Sequence, residues 1–279
     1  MLICGLYIVA TPIGNLGDIS ERAKQILDEA DIIAAEDTRV TKKLFTLLGL
    51  STNKVFIPYE DHSEEKKFQQ IIDLINEGHS VALVSDAGSP LISDPGYKLV
   101  RECRRQNIYV TTIPGSSAVI SALQLSGLPT NRFMFAGFIP NKDKARIDLF
   151  SELKYINTTL VLYETAIRLK KSLEALQKIM PDREIAVVRE ISKMYEETIF
   201  GTIAEVLEKL NTNPVKGEIV IVIAPPAEKD TQDIDLNTLL TEELKHCSVK
   251  EAVKKISETY KLKRNDVYEK ALQIKNQSV

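Results

Sequence analysis

Acidic and hydroxyl-bearing side chains follow short apolar runs at two places where this chain could do chemistry. Residues 36–39 pair two acids with a threonine and an arginine, and residues 85–94 combine two aspartates with serines and a glycine. Asp37 or Thr38 could cap a helix, yet two acids beside an arginine exceed what a cap needs. Carboxylates, hydroxyls and backbone groups suit a polar, partly cationic ligand and a transfer reaction that depends on positioning.

Similar polar loops recur along the chain, at residues 11–18, 59–62, 114–117 and 163–164. Each one alone could be turn or capping chemistry, and Asp18, Asp94 and Ser117 are all plausible caps. The carboxyl ends of parallel strands open on one edge of a sheet, where ligands of open α/β sheets bind. We therefore expect the loops that follow the first five strands to converge on a site. The alternative for the loop 85–94 is that Gly and Pro simply punctuate a connection between a strand and a helix.

The elements that must position these loops alternate regularly in the first half of the chain. Apolar runs at 6–10, 32–35, 55–58, 81–84 and 108–113 predict five strands, with a helical pattern after each. Residues 1–127 are thus predicted to form an α/β domain with a parallel sheet. Asp18 and Glu21 resemble a capping box, and Asp94 followed by Pro95 predicts the start of a helix.

The second half of the chain divides into three further segments. Residues 128–224 begin with a linker and interleave strands and helices less evenly, so we predict a second α/β domain with a mixed sheet. Residues 225–247 hold six acids against two lysines and are predicted to be an acidic linker with a short helix. Residues 248–279 hold eight Lys/Arg against four acids and contain two helix patterns, capped by Ser248 and Asn265. This basic tail is either a solvated surface or a phosphate-binding one.

Composition excludes several classes of protein. The chain is 44% hydrophobic and 27% charged, as expected of a globular protein, and no apolar run reaches the length of a membrane span. Its three cysteines are widely spaced, which favours a reducing cytoplasm over a disulfide framework. Its three histidines are scattered, so we expect no structural metal. A GxGxxG after the first strand, a P-loop and a GxSxG motif are all absent.

Several segments together resemble one family in their order along the chain. They are residues 7–18, 35–39, 84–90, 93–96, 114–118, 163–164, 189–190 and 216–218. The family is that of the bacterial 16S rRNA (cytidine-2′-O)-methyltransferases, within the tetrapyrrole (corrin/porphyrin) methylase superfamily. The resemblance covers residues 6–224 and extends to 249–253 and 263–272 in the tail. It implies methylation of a cytidine ribose in the decoding region of the small ribosomal subunit, by a cytoplasmic homodimer.

The resemblance also implies S-adenosylmethionine as cofactor, held in a cleft between the two α/β domains. Carried over residue by residue, the cofactor-contacting positions are Pro12, Asp86, Ala87, Gly88, Ser89, Ile92, Pro114, Gly115, Ser116, Ser117, Ala118 and Tyr163. Gly88 and Gly115 would let the cofactor approach the backbone closely.

Methyl transfer to a ribose hydroxyl requires an in-line arrangement and a proton acceptor. Asp37 is our first candidate for the base, with Glu36 and Glu190 as alternatives, and Arg39 should hold a phosphate beside the target nucleotide. Two other readings stay open: a methylase of tetrapyrroles or other small molecules, and a non-catalytic RNA- or nucleotide-binding protein that keeps the fold. The loops 36–39 and 59–62 and the basic tail favour RNA.

Overall fold

The computed structural model describes residues 2–59, 64–212, 215–226, 236–244, 247–260 and 264–277. These residues form two compact units, Met1–Pro226 and Ala227–Val279. Within the described ranges, no helix is both long enough and apolar enough to span a membrane.

The first half of the larger unit is a five-stranded parallel sheet with helices between the strands. In chain order its elements are β1 (Gly5–Val9), a 3₁₀ turn (Leu16–Asp18), α1 (Glu21–Glu29), β2 (Ile32–Ala35), α2 (Thr38–Leu48), β3 (Val55–Pro58), α3 (Glu64–Asn76), β4 (Ser80–Val84), α4 (Tyr97–Arg105), β5 (Val110–Ile113) and α5 (Ala118–Ser126). The strand order is β3-β2-β4-β1-β5, and every pairing is parallel. The predicted parallel sheet is confirmed.

Two of the predicted helix starts are wrong. Ser20, not Asp18, caps α1 by accepting the N–H of Ala23, because Asp18 belongs to the preceding 3₁₀ turn. Asp94 does not cap α4 either. That helix begins three residues later at Tyr97, because Gly96 has a φ of +134°, which no helical residue adopts.

The second half of the larger unit is the predicted mixed sheet. Its elements are β6 (Phe133–Phe138), α6 (Asp143–Leu153), β7 (Thr159–Thr165), α7 (Ala166–Ile179), β8 (Glu184–Arg189), β9 (Glu197–Thr202), α8 (Ile203–Thr212) and β10 (Glu218–Ile223). The order is β6-β7-β10-β8-β9, with β6 and β7 parallel and the other pairings antiparallel. Leucines and isoleucines of α6, α7 and α8 cover one face, and α5 packs against the other. The last helix before residue 127 therefore contributes to the core of the second sheet.

The described residues of the smaller unit form three helices, α9 (Leu236–Glu243), α10 (Val249–Tyr260) and α11 (Arg264–Gln277). Its core contains Val253 and Ile256 of α10 and Val267 and Ala271 of α11, each pair at helical spacing, together with Leu240 of α9. Ser248 caps α10 as predicted, since its hydroxyl accepts the N–H of Glu251 and its own N–H binds the Glu251 carboxylate. The predicted cap at Asn265 is wrong, because Asn265 lies inside α11.

Candidate active site

The loops that follow β1, β4 and β5 meet at the carboxyl edge of the parallel sheet. Thr11 and Gly88 exchange two backbone hydrogen bonds, with N–O distances of 2.8 and 3.1 Å. The Ser89 hydroxyl donates to the carbonyl oxygen of Ser116 at 3.1 Å. The three loops are thus joined into one surface, as expected where neighbouring parallel strands end.

The loops after β2 and β4 are joined by a reciprocal pair of hydrogen bonds. The N–H of Asp37 donates to Oδ1 of Asp86 at 3.1 Å, and the N–H of Asp86 donates to Oε2 of Glu36 at 3.2 Å. Each of these two carboxylates therefore holds the backbone of the opposite loop in place, which fixes the acidic residues of both loops relative to one another.

A cleft of about 380 Å³ lies between this surface and the edge of the second sheet, a volume typical of small-molecule sites. Its apolar wall contains Ile13, Ile92, Ala118, Phe138, Tyr163, Ile191 and Val220. The rings of Phe138 and Tyr163 meet edge to face, with centroids 5.1 Å apart. Burial raises the pKa of Tyr163 to about 12, so its hydroxyl stays neutral at physiological pH.

The polar side of the cleft is strongly acidic. Five acidic residues line it, Glu36, Asp86, Asp94, Glu164 and Glu218, and the described lining contains no lysine, arginine or histidine. Partial burial raises the pKa of the Asp86 carboxyl. A surface of this charge suits a ligand with cationic groups and disfavours an anionic one.

Two of these carboxylates have cationic partners outside the lining. Nζ of Lys193 is 2.9 Å from the Glu218 carboxylate. The Glu164 carboxylate is buried against α7, where it accepts a hydrogen bond from Ser172 and pairs with Arg168 at 2.6 Å, so only the backbone of Glu164 reaches the cleft. The prediction that Tyr163 and Glu164 form a polar loop is wrong, because both lie inside β7 and pair with β10. Of the loop 59–62, Tyr59 is buried, and Glu60, Asp61 and His62 lie outside the described residues.

The structure brings most of the predicted cofactor positions together. Asp86, Ala87, Gly88, Ser89, Ile92, Ser117, Ala118 and Tyr163 all line the cleft. Pro12, Pro114, Gly115 and Ser116 are not part of the described lining. A Cβ on Gly115 would lie 2.9 Å from Cβ of Ala10, so its missing side chain serves the packing of the β5 loop against β1.

The predicted catalytic residues separate into one that lines the cleft, Glu36, and three that do not, Asp37, Arg39 and Glu190. Asp37 caps α2 by accepting the N–H of Arg39 at 2.8 Å, and its carboxylate also binds the Arg39 guanidinium at 2.6 Å. The hydrogen bond from this guanidinium lowers the pKa of Asp37 to about 2. A carboxylate with so little affinity for protons is a poor general base.

Glu190 lies behind Gly217, where its carboxylate accepts hydrogen bonds from the N–H of Glu218 and from Lys193. Partial burial raises the pKa of Glu190, but these two bonds outweigh it and lower the pKa overall. The reasoning from strand ends missed Gly217 and Glu218, which lead into β10 of the second sheet and line the cleft. Only the resemblance of segment 216–218 to the family had pointed to these two residues.

Comparison with known proteins assigns most of the chain to two family models. The model described as Tetrapyrrole (Corrin/Porphyrin) Methylases matches residues 5–207, and the model described as RsmI C-terminal HTH domain matches residues 230–275. The ribosomal RNA small subunit methyltransferase I of Erythrobacter litoralis is 48% identical over 97% of this chain and 95% of its own length. The protein of the same name from Rickettsia prowazekii is 46% identical over 86% of this chain and 85% of its own.

Solved structures of similar fold are more distant in sequence. Cobalt precorrin-4 methyltransferase covers 78% of this chain and 94% of its own length with a TM-score of 0.56 and 16% identity. Uroporphyrin-III C-methyltransferase from Thermus thermophilus, complexed with S-adenosylhomocysteine, covers 79% of this chain and 97% of its own with a TM-score of 0.53 and 17% identity. At these identities the likeness concerns the fold alone.

Proposed function

Because this chain belongs to the tetrapyrrole methylase family, and within it groups with the ribosomal RNA small subunit methyltransferases I, we propose a specific reaction for it. It transfers a methyl group from S-adenosylmethionine to the 2′-oxygen of a cytidine in the decoding region of small-subunit ribosomal RNA. The observation that carries this proposal is the cleft lined by the acidic residues Glu36, Asp86, Asp94 and Glu218 and, in the described lining, by no cationic residue. S-adenosylmethionine carries a sulfonium and an ammonium group, and both are attracted to such a surface.

The residues of the cleft fit this cofactor. Asp86 and Asp94 supply negative charge for its cationic groups, and Ile92, Val220 and Tyr163 supply an apolar wall for its adenine ring. When bound, S-adenosylmethionine supplies a methyl group that the sulfonium charge has already activated. What the protein has to add is orientation of the ribose, exclusion of water and a place for the proton.

Glu36 is the proton acceptor that the geometry favours. It is the only one of the predicted catalytic residues in the described lining of the cleft, and one of its carboxylate oxygens holds the N–H of Asp86. Asp37 acts as a positioning residue, because its N–H fixes the Asp86 carboxylate while its own carboxylate stays ionised beside Arg39. Arg39 has an exposed side chain, so it can contact a phosphate of the RNA.

The two other readings have less support. The carboxylates of an acidic tetrapyrrole would find no cationic side chain in the described lining of the cleft. A non-catalytic binding protein would not need the cofactor-sized cleft with Glu36 at its wall. We propose that the reaction takes place in the cytoplasm, on 16S rRNA or the small ribosomal subunit, and that the enzyme acts as a homodimer, as the resemblance to the family implies.

The product distinguishes ribose methylation from base methylation. Small subunits from a strain that lacks this protein are incubated with it and with methyl-labelled S-adenosylmethionine, and the RNA is then hydrolysed in alkali. Alkaline cleavage needs a 2′-hydroxyl, so a 2′-O-methyl group leaves the label in an alkali-stable dinucleotide that begins with cytidine. Label recovered in mononucleotides, or none in RNA, would contradict the proposal.

The role of Glu36 is tested with Glu36→Gln, and Glu190→Gln is the control because Glu190 lies behind the cleft wall. We expect Glu36→Gln to lower kcat roughly 10²- to 10⁴-fold with little change in cofactor affinity by calorimetry. Near-normal turnover of Glu36→Gln would remove it as the base.

A further inference from the structure

Two large apolar side chains project from the loop between β8 and β9. Met194 is 89% exposed and Tyr195 is 68% exposed, although both follow Ile191, which lines the cleft. Single exposed apolar residues are normal on a protein surface. These two are adjacent, however, and they lie three and four residues after a residue of the cleft lining, so a substrate that extends out of the cleft can reach them.

The second sheet holds this loop rigidly. Nζ of Lys193 is 3.1 Å from the Glu190 carboxylate and 2.9 Å from that of Glu218. Two consecutive turns follow, because the N–H of Lys193 donates to the carbonyl of Glu190 at 3.0 Å and the N–H of Glu196 donates to the carbonyl of Lys193 at 3.2 Å. Glu190 and Ser192 adopt left-handed φ values of +49° and +65°, a costly conformation that the surrounding contacts maintain.

The loop after β1 holds the same segment from the other half of the unit. The Ser192 hydroxyl donates a hydrogen bond to the Asp18 carboxylate. The side chain of Lys193 packs so closely on Gly14 that a Cβ there would lie 2.5 Å from its Cγ. Met194 and Tyr195 are therefore presented on a loop that contacts both walls of the cleft.

We infer that Met194 and Tyr195 form a stacking platform for one unpaired nucleobase of the RNA substrate. The inference rests on the proposed function and specifies how its substrate is held. A ribose hydroxyl can be aligned with a methyl donor only if its nucleotide is fixed, and exposed aromatic rings fix unstacked bases in single-stranded RNA. Stacking tolerates the acidic surroundings of this loop because it does not depend on phosphate contacts.

The size of the platform favours a base over a protein partner. One aromatic ring is enough to stack on one base, whereas a stable protein interface involves roughly 20–30 residues on each side. A ring held by a rigid loop also loses little conformational entropy when it stacks. A contact between two copies of this chain is the competing occupant, and the experiment separates the two.

The chain has no tryptophan, so Tyr195→Trp creates a single fluorescent reporter on the platform. The probe is a short single-stranded oligoribonucleotide that contains cytidine, added in the presence of S-adenosylhomocysteine so that no methyl transfer occurs. We expect the fluorescence to be quenched as the base stacks. The control is Tyr155→Trp. Tyr155 is 82% exposed and precedes the amino end of β7, whereas the cleft lies at the carboxyl end. Equal quenching at both positions, or none at Tyr195→Trp, would overturn the platform.

Kinetics on small subunits provide the second measurement. We expect Tyr195→Ala to raise KM for subunits roughly 5- to 150-fold, the usual loss per stacked base, and to leave cofactor affinity unchanged. Tyr195→Phe should restore KM, and Tyr155→Ala should not alter it.

Each remaining outcome has a distinct meaning. An active wild-type enzyme with an unchanged KM for Tyr195→Ala overturns the platform alone. A change of oligomeric state in Tyr195→Ala, seen by light scattering, assigns the pair to a contact between copies and also overturns the platform. A wild-type enzyme that transfers no methyl group to RNA overturns the proposed function, and with it the nucleobase as occupant.

Discussion

Gly217, in the cleft wall, is a position where adding one methyl group has a calculable cost. Its φ is +91°, a conformation that costs a residue with a side chain about 1–2 kcal/mol. A Cβ at this position would lie 2.1 Å from Oε1 of Glu190 and 2.5 Å from its Cδ. Non-bonded heavy atoms cannot approach so closely, so the Glu190 carboxylate must move in the Gly217→Ala variant.

The displaced carboxylate loses two hydrogen bonds. Oε1 of Glu190 accepts the N–H of Glu218 at 3.2 Å and Nζ of Lys193 at 3.1 Å. Each hydrogen bond contributes about 1 kcal/mol to the free energy of unfolding, and less where water can replace the lost partner. The loss of both therefore costs about 1–2 kcal/mol. With the backbone term, Gly217→Ala should lower the free energy of unfolding by about 2–4 kcal/mol.

A double-mutant cycle measured by urea denaturation tests this account. Glu190→Ala should cost about 1–2 kcal/mol by itself, since it removes the same two hydrogen bonds. The double variant loses the two hydrogen bonds only once. Its loss of unfolding free energy should therefore equal that of Gly217→Ala alone, which corresponds to a coupling energy of about 1–2 kcal/mol between the two positions. Gly78→Ala is the control for the backbone term, because its φ is +102° and no described atom outside its chain neighbours lies within 4 Å of the added Cβ. Additive losses within about 0.5 kcal/mol would refute the reasoning.

Three further predictions concern acidic residues and the tail. The pKa of Asp37 falls from 3.8 to about 2 on folding, so its charge stabilises the folded state above about pH 4 and ceases to do so as the pH falls toward 2. Asp37→Asn should accordingly have a lower urea midpoint than wild type at pH 6, and the gap should narrow between pH 4 and 2; a constant gap would contradict this. Glu164→Ala should lower the free energy of unfolding in urea by about 3–5 kcal/mol, because it removes the buried ion-pair partner of Arg168. A decrease below about 1 kcal/mol would show that the ion pair is dispensable. Truncation after Pro226 should leave cofactor affinity by calorimetry unchanged and weaken binding to small subunits, most of all at low salt, whereas equal affinity of both forms would exclude a phosphate-binding tail.

The sequence alone was sufficient for the architecture that carries the site. Apolar runs and turn residues are local patterns, and they correctly predicted a parallel sheet followed by a mixed sheet. Because parallel strands end on one edge, the same patterns predicted that the loops after all five strands would meet. The hydrogen bonds of Thr11 with Gly88 and of Ser89 with Ser116 confirm this for the loops after β1, β4 and β5, and those between residues 36–37 and Asp86 confirm it for the loop after β2. Most of the loop after β3 lies outside the described residues. The ordered set of short segments was sufficient for the family, as the match over residues 5–207 confirms.

Only the tertiary structure decided which partner each polar side chain has. Asp18 looked like a cap but binds Ser192, which lies 174 residues further along the chain. Asp37 looked like a base but is held ionised by Arg39, so its affinity for protons is low. Glu218 lines the cleft because its strand begins at the edge of the second sheet that faces the loop after β4. The pKa of a carboxylate, and so its chemical use, is determined by burial and by charges within a few ångströms, and distance in space cannot be read from spacing along the chain.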